Sequence, residues 1–189
     1  MSAARQAILG RVRSALKRAP GAPPPPPPPV RLHAFPTSLE ERIEQFSTAL
    51  GKLNGVTKVV SSESEAQLYI DGVVAGRTFC TAASTRDEIV RADVGVSGVD
   101  YGLADTGTLV TLSASDPRLV SLLPPTHIAV LDASRLLSTL DELLQLLPQP
   151  ALQTASMVLI TGPSRTADIE QILVRGVHGP GELHVVMIR

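Results

Sequence analysis

The fold is decided by residues 156–188, which read SMVLITGPSRTADIEQILVRGVHGPGELHVVMI. The apolar run from Ser156 to Ile160 predicts a strand that leads directly into the glycine and proline of positions 162 and 163. We expect a helix from about Thr166 to Val174 and a final strand from Leu183 to Ile188. A strand, a loop, a helix and a strand in this order are typical of an α/β fold.

The preceding residues follow the same order of elements. Ile128 to Leu131 predicts a strand, and the leucine-rich stretch from Ser134 to Leu147 predicts a helix that Pro148 ends. Between residues 92 and 112, apolar residues are interleaved with four glycines, which predicts short strands joined by tight turns. We therefore predict an open, mostly parallel sheet with helices on both faces.

Two further helices are predicted to begin at serine residues. Ser38 is followed by glutamates at positions 40, 41 and 44, and the positive end of a helix dipole favours acidic residues in the first turn. Ser62 stands three residues before Glu65, which is the spacing of a capping box.

The composition excludes several classes of protein. Aromatic residues make up only 3% of the 189 residues, which disfavours recognition of nucleic acid by base stacking. Cys80 is the only cysteine, so no internal disulfide and no cysteine-ligated iron–sulfur cluster is expected, and the side chain is interpreted as a small buried hydrophobe. The four histidines lack metal-ligand spacing, so we predict neither a metal site nor another cofactor.

The hydropathy pattern predicts a cytoplasmic location. There is no apolar run of about 18 residues, so no membrane span is expected. The N-terminal residues lack the apolar segment of a secretory signal.

Charge divides the chain into a basic arm and an acidic body. Residues 1–33 contain six basic and no acidic side chains, whereas the remainder carries seven more acidic than basic residues. The arm combines a predicted amphipathic helix at 3–18 with an unbroken proline run from Pro23 to Pro29, which forms a stiff spacer. We therefore predict a boundary between the arm, 1–33, and an α/β domain, 34–189. The acidic body would repel phosphates, so no nucleic-acid partner is expected.

The first segment that can carry chemistry is Asp105-Thr106-Gly107-Thr108, which offers a carboxylate, two hydroxyls and an open backbone. One interpretation makes it a substrate loop, in which Asp105 is a catalytic acid or base and the other three residues bind ligand. The alternative is a tight β-turn, in which the Asp105 side chain bonds the backbone of Gly107.

The second segment begins at Gly162 and continues through Ser164, Arg165 and Thr166. It lies between the predicted strand and helix, where free N–H groups and the helix dipole favour an anion. Arg165 is the candidate for clamping a carboxylate, because its planar guanidinium matches two carboxylate oxygens. The alternative makes Ser164 or Thr166 a helix cap.

The third segment, residues 175–181, places His178 among three glycines and a proline. An exposed histidine in such a loop is a candidate proton carrier, and the alternative is a histidine that bonds a loop carbonyl. His127 is interpreted as structural.

We expect these three segments to meet in one pocket, because ligands of α/β folds bind at the carboxyl ends of strands. The side chains predicted to line that pocket are those of Asp105, Thr106, Thr108, Ser164, Arg165 and His178.

Several blocks together resemble the lactate-utilisation protein C family, which is built on the LUD domain. The blocks are 104–108, 121–124 followed by 127–128, 162–170 and 176–180. The resemblance is specific over roughly residues 92–188 and weaker over 37–91. It implies a fold similar to 5-formyltetrahydrofolate cyclo-ligase and to the sugar-phosphate isomerase and CoA-transferase superfamily.

The same resemblance implies a role in oxidising L-lactate to pyruvate alongside two iron–sulfur proteins. Under one hypothesis the chain is an accessory or regulatory subunit, without its own cluster, whose partners are those iron–sulfur subunits. Under the other it is a stand-alone enzyme or binding protein for a small anionic ligand, such as a carboxylate, a folate, a sugar phosphate or a CoA derivative.

Overall fold

A computed structural model describes residues 3–17, 38–113, 118–150, 154–167 and 173–189. The chain divides into two units, Met1–Leu32 and His33–Arg189, and each is described by itself. Within the described residues, no helix has both the length and the apolarity that crossing a membrane requires.

The described part of the first unit is a single helix, α1, which spans Ala3–Ala15. None of its residues is buried, and the apolar side chains Ile8, Val12 and Leu16 are all exposed. The predicted N-terminal helix is thus confirmed, whereas the proline run lies outside the described residues.

Deleting residues 1–30 is expected to leave the melting temperature of the protein within a few degrees of its original value. Helix α1 buries no side chain, so its removal should cost little of the apolar burial that stabilises a fold. Differential scanning calorimetry of the full chain and the shortened chain measures the difference. A much lower melting temperature would show that the arm contributes to the stability of the body.

The second unit is built around a five-stranded parallel sheet. Its strands are numbered along the chain, and their order across the sheet is β1-β11-β6-β3-β2. Every neighbouring pair runs parallel. The bounds are Val56–Val60 for β1, Phe79–Cys80 for β2, Val94–Gly98 for β3, Thr126–Asp132 for β6 and Glu182–Ile188 for β11.

A second, mixed sheet packs beside the first, in the order β7-β4-β5-β8. Strand β5 is antiparallel to both neighbours, whereas β4 and β7 are parallel. The bounds are Tyr101–Leu103 for β4, Thr108–Leu112 for β5, Leu136–Leu137 for β7 and Met157–Ile160 for β8. A separate antiparallel pair joins β9, Arg165–Ala167, to β10, Leu173–Arg175.

The α-helices that lie wholly within the second unit's described residues are five, and a short 3-10 helix spans Ala133–Arg135. The α-helices are α2 (Leu39–Lys52), α3 (Glu63–Val74), α4 (Arg86–Arg91), α5 (Arg118–Leu122) and α6 (Leu140–Leu146). The predicted starts of α2 and α3 are confirmed, because the side chains of Ser38 and Ser62 accept hydrogen bonds from the backbone N–H groups three residues later.

The two faces of the parallel sheet bury different clusters. One face packs Val94, Ile128 and Val186 against Ala66 and Ile70 of α3. The other face packs Leu131 and Met187 against α2 and the mixed sheet, in a cluster that also contains Phe46, Leu50 and Leu109. The buried side chains of these two clusters are aliphatic apart from Phe46 and Met187.

Cys80 is fully buried with Ile89, Ala92 and Val120, which confirms its interpretation as a small buried hydrophobe. Burial raises the pKa of its thiol and so disfavours the reactive thiolate.

Two predicted helices are wrong in part or entirely. The helix expected at Thr166 to Val174 is replaced by strands β9 and β10, which pair with each other, while residues 168–172 lie outside the described residues. The helix expected at Ser134 to Leu147 is shortened to α6. Leu136 and Leu137 instead pair with β4, and Thr139 caps the shortened helix by accepting a hydrogen bond from the Glu142 N–H.

Candidate functional site

The segment 104–107 forms the turn of the β4–β5 hairpin, and it rests against the end of α2. Gly107 has a φ of +65°, and a Cβ there would lie 2.5 Å from the backbone nitrogen of Leu50. Only glycine avoids both the left-handed strain and this clash. The turn is therefore held tightly by the helix, while Asp105 and Thr106 at its tip are exposed.

A chain of hydroxyl groups leads from this turn to strand β8. Thr106 Oγ1 lies 3.2 Å from the Asp105 carboxylate and 2.7 Å from Thr108 Oγ1. Thr108 Oγ1 lies 2.8 Å from Thr161 Oγ1. The Asp105 carboxylate accepts a hydrogen bond from a neighbouring hydroxyl, so part of its hydrogen-bonding capacity is used within the turn.

Gly162 and Arg165 also contact the end of α2. Gly162 has a φ of +81°, and a Cβ there would lie 2.8 Å from Cβ of Leu53. The Arg165 guanidinium donates a hydrogen bond to the backbone carbonyl of Leu53, the residue that caps the C-terminus of α2. A cation at this end of a helix is favourable. Since Arg165 and Thr166 belong to strand β9, the predicted anion site at a helix N-terminus is wrong.

The backbone of Ser164 instead forms hydrogen bonds with the glycine-rich loop, residues 176–180. Its N–H donates to the Pro180 carbonyl at 2.8 Å, and its carbonyl accepts from the Gly176 N–H at 3.1 Å. These two backbone bonds fix both ends of residues 176–180, the segment that carries the exposed His178. The loop is thus anchored although it lacks regular secondary structure.

His178 lies on the wall of a cavity of about 670 Å³, named here the glycine-loop cavity. The residues that line it come from the end of α5 and the loop after it, from the segment before β2, from the starts of β6 and β11, and from the loop before β11. They are Arg77, Leu122, Leu123, Pro125, Thr126, Gly176, Val177, His178, Gly179, Gly181 and Glu182.

A polar cluster occupies the base of the glycine-loop cavity. Arg77 Nη2 donates to Thr126 Oγ1 at 2.6 Å, and Thr126 Oγ1 donates to Glu182 Oε2 at 2.9 Å. Arg77 Nη1 lies 4.0 Å from Glu182 Oε2, at the limit of an ion pair. Thr126 is buried, but the side chains of Arg77 and Glu182 are 33% and 63% exposed. Arg77 Nη2 also lies 3.4 Å from the Asp93 carbonyl oxygen, and the charge of Arg77 contributes to the lowered pKa of the exposed Asp93. The guanidinium is therefore positioned by a buried hydroxyl, and only exposed carboxylates offset its charge.

His184 lies behind this cluster and faces Tyr69. The Tyr69 hydroxyl is 2.9 Å from His184 Nδ1. Burial lowers the pKa of His184, Glu182 acts in the opposite direction, and Arg77 adds to the lowering. The histidine is thus more difficult to protonate than a histidine in water.

Asp105 and His178 do not share a cavity, so the prediction of one common pocket is wrong. Asp105 borders a shallower cavity of about 440 Å³ whose other wall is α2, with Glu41, Glu44 and Lys52 among its residues. His178 faces the glycine-loop cavity.

The prediction that His178 lies at the carboxyl end of the sheet is also wrong. Thr126 and Glu182, which line its cavity, are the first residues of β6 and β11. The glycine-loop cavity therefore lies at the amino end of the parallel sheet, not at the carboxyl end.

The carboxyl end of the parallel sheet holds a cavity of about 410 Å³ whose charged groups serve the fold. Asp132 Oδ1 accepts from the Ser134 N–H at 2.8 Å, and the hydroxyl and N–H of Ser134 lower the pKa of Asp132. Arg189 forms an ion pair with Glu40. We therefore take the glycine-loop cavity as the candidate site, with three residues that the sequence patterns did not identify: Arg77, Thr126 and Glu182.

Residues 80–188 match the LUD domain family. The chain is 38% identical over 99 residues to an uncharacterized protein of Neisseria meningitidis, covering 51% of this chain and 42% of that protein. It is 31% identical over 150 residues to a lactate utilization protein C of Anoxybacillus flavithermus, covering 79% and 60% respectively. It is 38% identical over 103 residues to lactate utilization protein C of Bacillus subtilis, covering 52% and 43%. The alignments thus span about half the length of these relatives.

A solved structure has the same fold. The crystal structure of a DUF162 family protein from Deinococcus radiodurans aligns with a TM-score of 0.65 and 19% sequence identity. The alignment covers 82% of this chain and all of that chain. At this level of identity the similarity concerns the fold alone.

Proposed function

Because this chain belongs to the LUD domain family, we propose that it is a subunit of an L-lactate utilisation system, in which L-lactate is oxidised to pyruvate. The proposal is supported by the relatives named lactate utilization protein C in Anoxybacillus flavithermus and Bacillus subtilis. Its role is accessory or regulatory, and it acts in the cytoplasm.

Iron–sulfur proteins are the partners in this proposal, and they carry the electrons. Cys80 is the only cysteine of the chain, and it is buried. A cluster held by cysteine thiolates requires several such ligands, so the chain holds no cluster of this kind itself.

The observation that carries the proposal is that only exposed carboxylates offset the charge of Arg77 in the glycine-loop cavity. Lactate and pyruvate are both small carboxylates, and an arginine guanidinium binds a carboxylate with two parallel hydrogen bonds. Thr126 holds the guanidinium by its Nη2 atom. A bound carboxylate would compete with the exposed Glu182 for the remaining donors of Arg77.

His178 supplies the second polar group of the cavity. An exposed imidazole can donate a hydrogen bond to a hydroxyl or keto oxygen next to the carboxylate. Lactate and pyruvate differ at C2, which carries a hydroxyl and a hydrogen in lactate and a keto oxygen in pyruvate. A neutral imidazole nitrogen can also accept a hydrogen bond from the lactate hydroxyl, which pyruvate cannot donate, so His178 is the residue that would distinguish the two. Asp105 borders another cavity and has no part in this proposal.

A stand-alone binding protein or enzyme for a larger anion is the second candidate function. The volume of about 670 Å³ favours it, because cavities of this size accommodate ligands much larger than lactate. A folate, a sugar phosphate or a CoA derivative would then replace the small carboxylate.

The proposal is tested by deleting the gene for this chain from its host. Growth on L-lactate as the sole carbon source should be lost, while growth on pyruvate, the product of the oxidation, should continue. The intact gene should restore growth on L-lactate. The Arg77→Gln variant should restore it poorly, because losing a charged hydrogen-bond partner weakens carboxylate binding by roughly tenfold or more.

Arg91→Gln is the matched control, since Arg91 is an exposed arginine of α4 that does not line the cavity. It should restore growth fully. Undiminished growth of the deletion strain on L-lactate would refute the proposed role and favour the stand-alone function.

A further inference from the structure

A second cavity, named here the arginine cavity, lies between helix α5 and strand β8. Its volume is about 700 Å³. Helix α5 contributes Leu119 and Leu122, and strand β8 contributes Val158 and Ile160. Its walls are therefore mostly apolar, and its size suits an organic molecule with an extended apolar body.

Two arginines, Arg86 and Arg118, supply the charge of this cavity. They stand at the first positions of α4 and α5, and both are exposed. Among the residues that the structure describes, the ion pairs are those of Arg77 and Arg189, so neither cavity arginine is neutralised by a carboxylate there. Two unneutralised cations beside apolar walls are unusual in a body that carries net negative charge, and they favour an anionic ligand.

The helical wall of the cavity is fixed in place. The Val120 carbonyl of α5 lies so close to Gly95 that a Cβ on Gly95 would be 2.0 Å from its oxygen. Val120 itself is fully buried. Because α5 is pressed onto β3 in this way, the cavity does not need a rearrangement before a ligand enters.

We propose that the arginine cavity binds an organic anion with an extended apolar body, of which a medium-chain carboxylate is the simplest example. The apolar body would lie between Leu122 and Val158, and the carboxylate would accept hydrogen bonds from Arg86 and Arg118. This binding goes beyond the proposed role in lactate utilisation and does not depend on it.

Leu122 connects the arginine cavity to the glycine-loop cavity. Leu122 lines both the arginine cavity and the glycine-loop cavity, and a Cβ on Gly179 would lie 3.9 Å from its Cδ1. A ligand that displaces Leu122 would therefore act directly on the loop that carries His178.

Isothermal titration calorimetry of the full chain with decanoate tests the proposal. Decanoate should bind with saturation and one-to-one stoichiometry. Acetate, which has the charge but no apolar body, and decanol, which has the body but no charge, should each bind at least about tenfold more weakly. The double variant Arg86→Gln, Arg118→Gln should weaken decanoate binding by about tenfold or more, since a hydrogen bond to a charged group contributes roughly 1.5–3 kcal/mol.

All of these titrations are made in chains that carry Arg77→Gln, which removes the carboxylate-binding arginine of the glycine-loop cavity. The control variant is Arg91→Gln, because Arg91 lies outside the arginine cavity. It should bind decanoate within about twofold of the chain without it, and the melting temperature of each variant verifies its folding. Absence of saturable decanoate binding, or equal binding by the double variant, would overturn the proposal. Neither result bears on the growth test, because that test depends on Arg77 and on lactate.

Discussion

Gly95→Ala is expected to reduce the free energy of unfolding by about 3 kcal/mol or more, in the upper range for overpacked sites. The added Cβ would lie 2.0 Å from the backbone oxygen of Val120 and 3.1 Å from Cγ of Pro124. A backbone oxygen cannot rotate away as the end of a flexible side chain can. Helix α5 would have to move off strand β3, and the buried cluster of Cys80, Ile89 and Val120 would open.

Gly98→Ala is the matched control because Gly98 belongs to the same strand and a Cβ there would meet no atom within 4 Å. It should leave the stability unchanged or slightly higher, since alanine restricts the unfolded chain. Urea denaturation of the three proteins measures the difference. A Gly95→Ala variant within about 1 kcal/mol of the original would show that α5 moves away easily and that the arginine cavity has no fixed wall.

Acid is expected to lower the stability of the folded protein through one buried histidine. His127 is fully buried in the parallel sheet, where its Nε2 lies 2.8 Å from Ser97 Oγ and its Nδ1 has no partner in the described residues. Burial lowers the pKa of His127 from 6.5 to about 4. Between these two pH values the unfolded chain binds a proton that the folded chain excludes, so the stability falls as the pH falls.

The expected loss between pH 7 and pH 4 is about 3 kcal/mol from this histidine, since one pKa unit corresponds to about 1.4 kcal/mol. The contribution is complete above the unfolded value of 6.5 and declines as the pH approaches 4. Urea denaturation at a series of pH values measures it. His127→Gln should remove most of the decline, whereas His178→Gln, which changes an exposed histidine, should retain it.

His184, whose pKa burial also lowers, and the carboxylates add declines of the same sign that all variants share. Asp93, for example, has a lowered pKa because the hydroxyl and N–H of Thr78 bond to it. Its contribution is lost as the pH falls through its folded pKa, below that of a free carboxyl. An equally steep decline between pH 6.5 and pH 4 in the His127→Gln variant would refute the assignment.

Local signals predicted local structure. The helix starts at Ser38 and Ser62 depend on a hydroxyl and a backbone N–H three residues away, and both are visible in the sequence. The burial of Cys80 followed from its place in a segment that reads as a strand, and the interpretation of His127 as structural followed from its position after Pro124, Pro125 and Thr126. Such features need no knowledge of which strands are neighbours.

The two incorrect helix predictions both concern residues that pair as strands. Leu136 and Leu137 fit a helix pattern, but they extend the sheet beside β4, which lies more than 30 residues earlier. Arg165–Ala167 likewise pairs with β10 instead of beginning a helix. Tertiary pairing outweighs a local helical preference of a few tenths of a kcal/mol per residue.

One part of the candidate site could be predicted from the sequence and another part could not. That His178 lies at the amino end of the sheet could have been inferred, because the residue stands shortly before the last predicted strand. The contact of Arg77 with Thr126 and Glu182 could not, since it depends on the order β11-β6-β3-β2 across the sheet. No sequence pattern specifies that order.

The position of β11 has a consequence for how the protein is made. This strand lies between β1 and β6, yet β1 is formed by residues more than 120 positions earlier in the chain. During synthesis on the ribosome, β1 and β6 emerge well before their shared partner. Until residues 182–188 have been added, β6 has one unpaired backbone edge and β1 has two. Such edges invite pairing with other chains. The nascent protein is therefore most prone to aggregation before residues 182–188 have emerged, and it is at that stage that chaperones would protect it most.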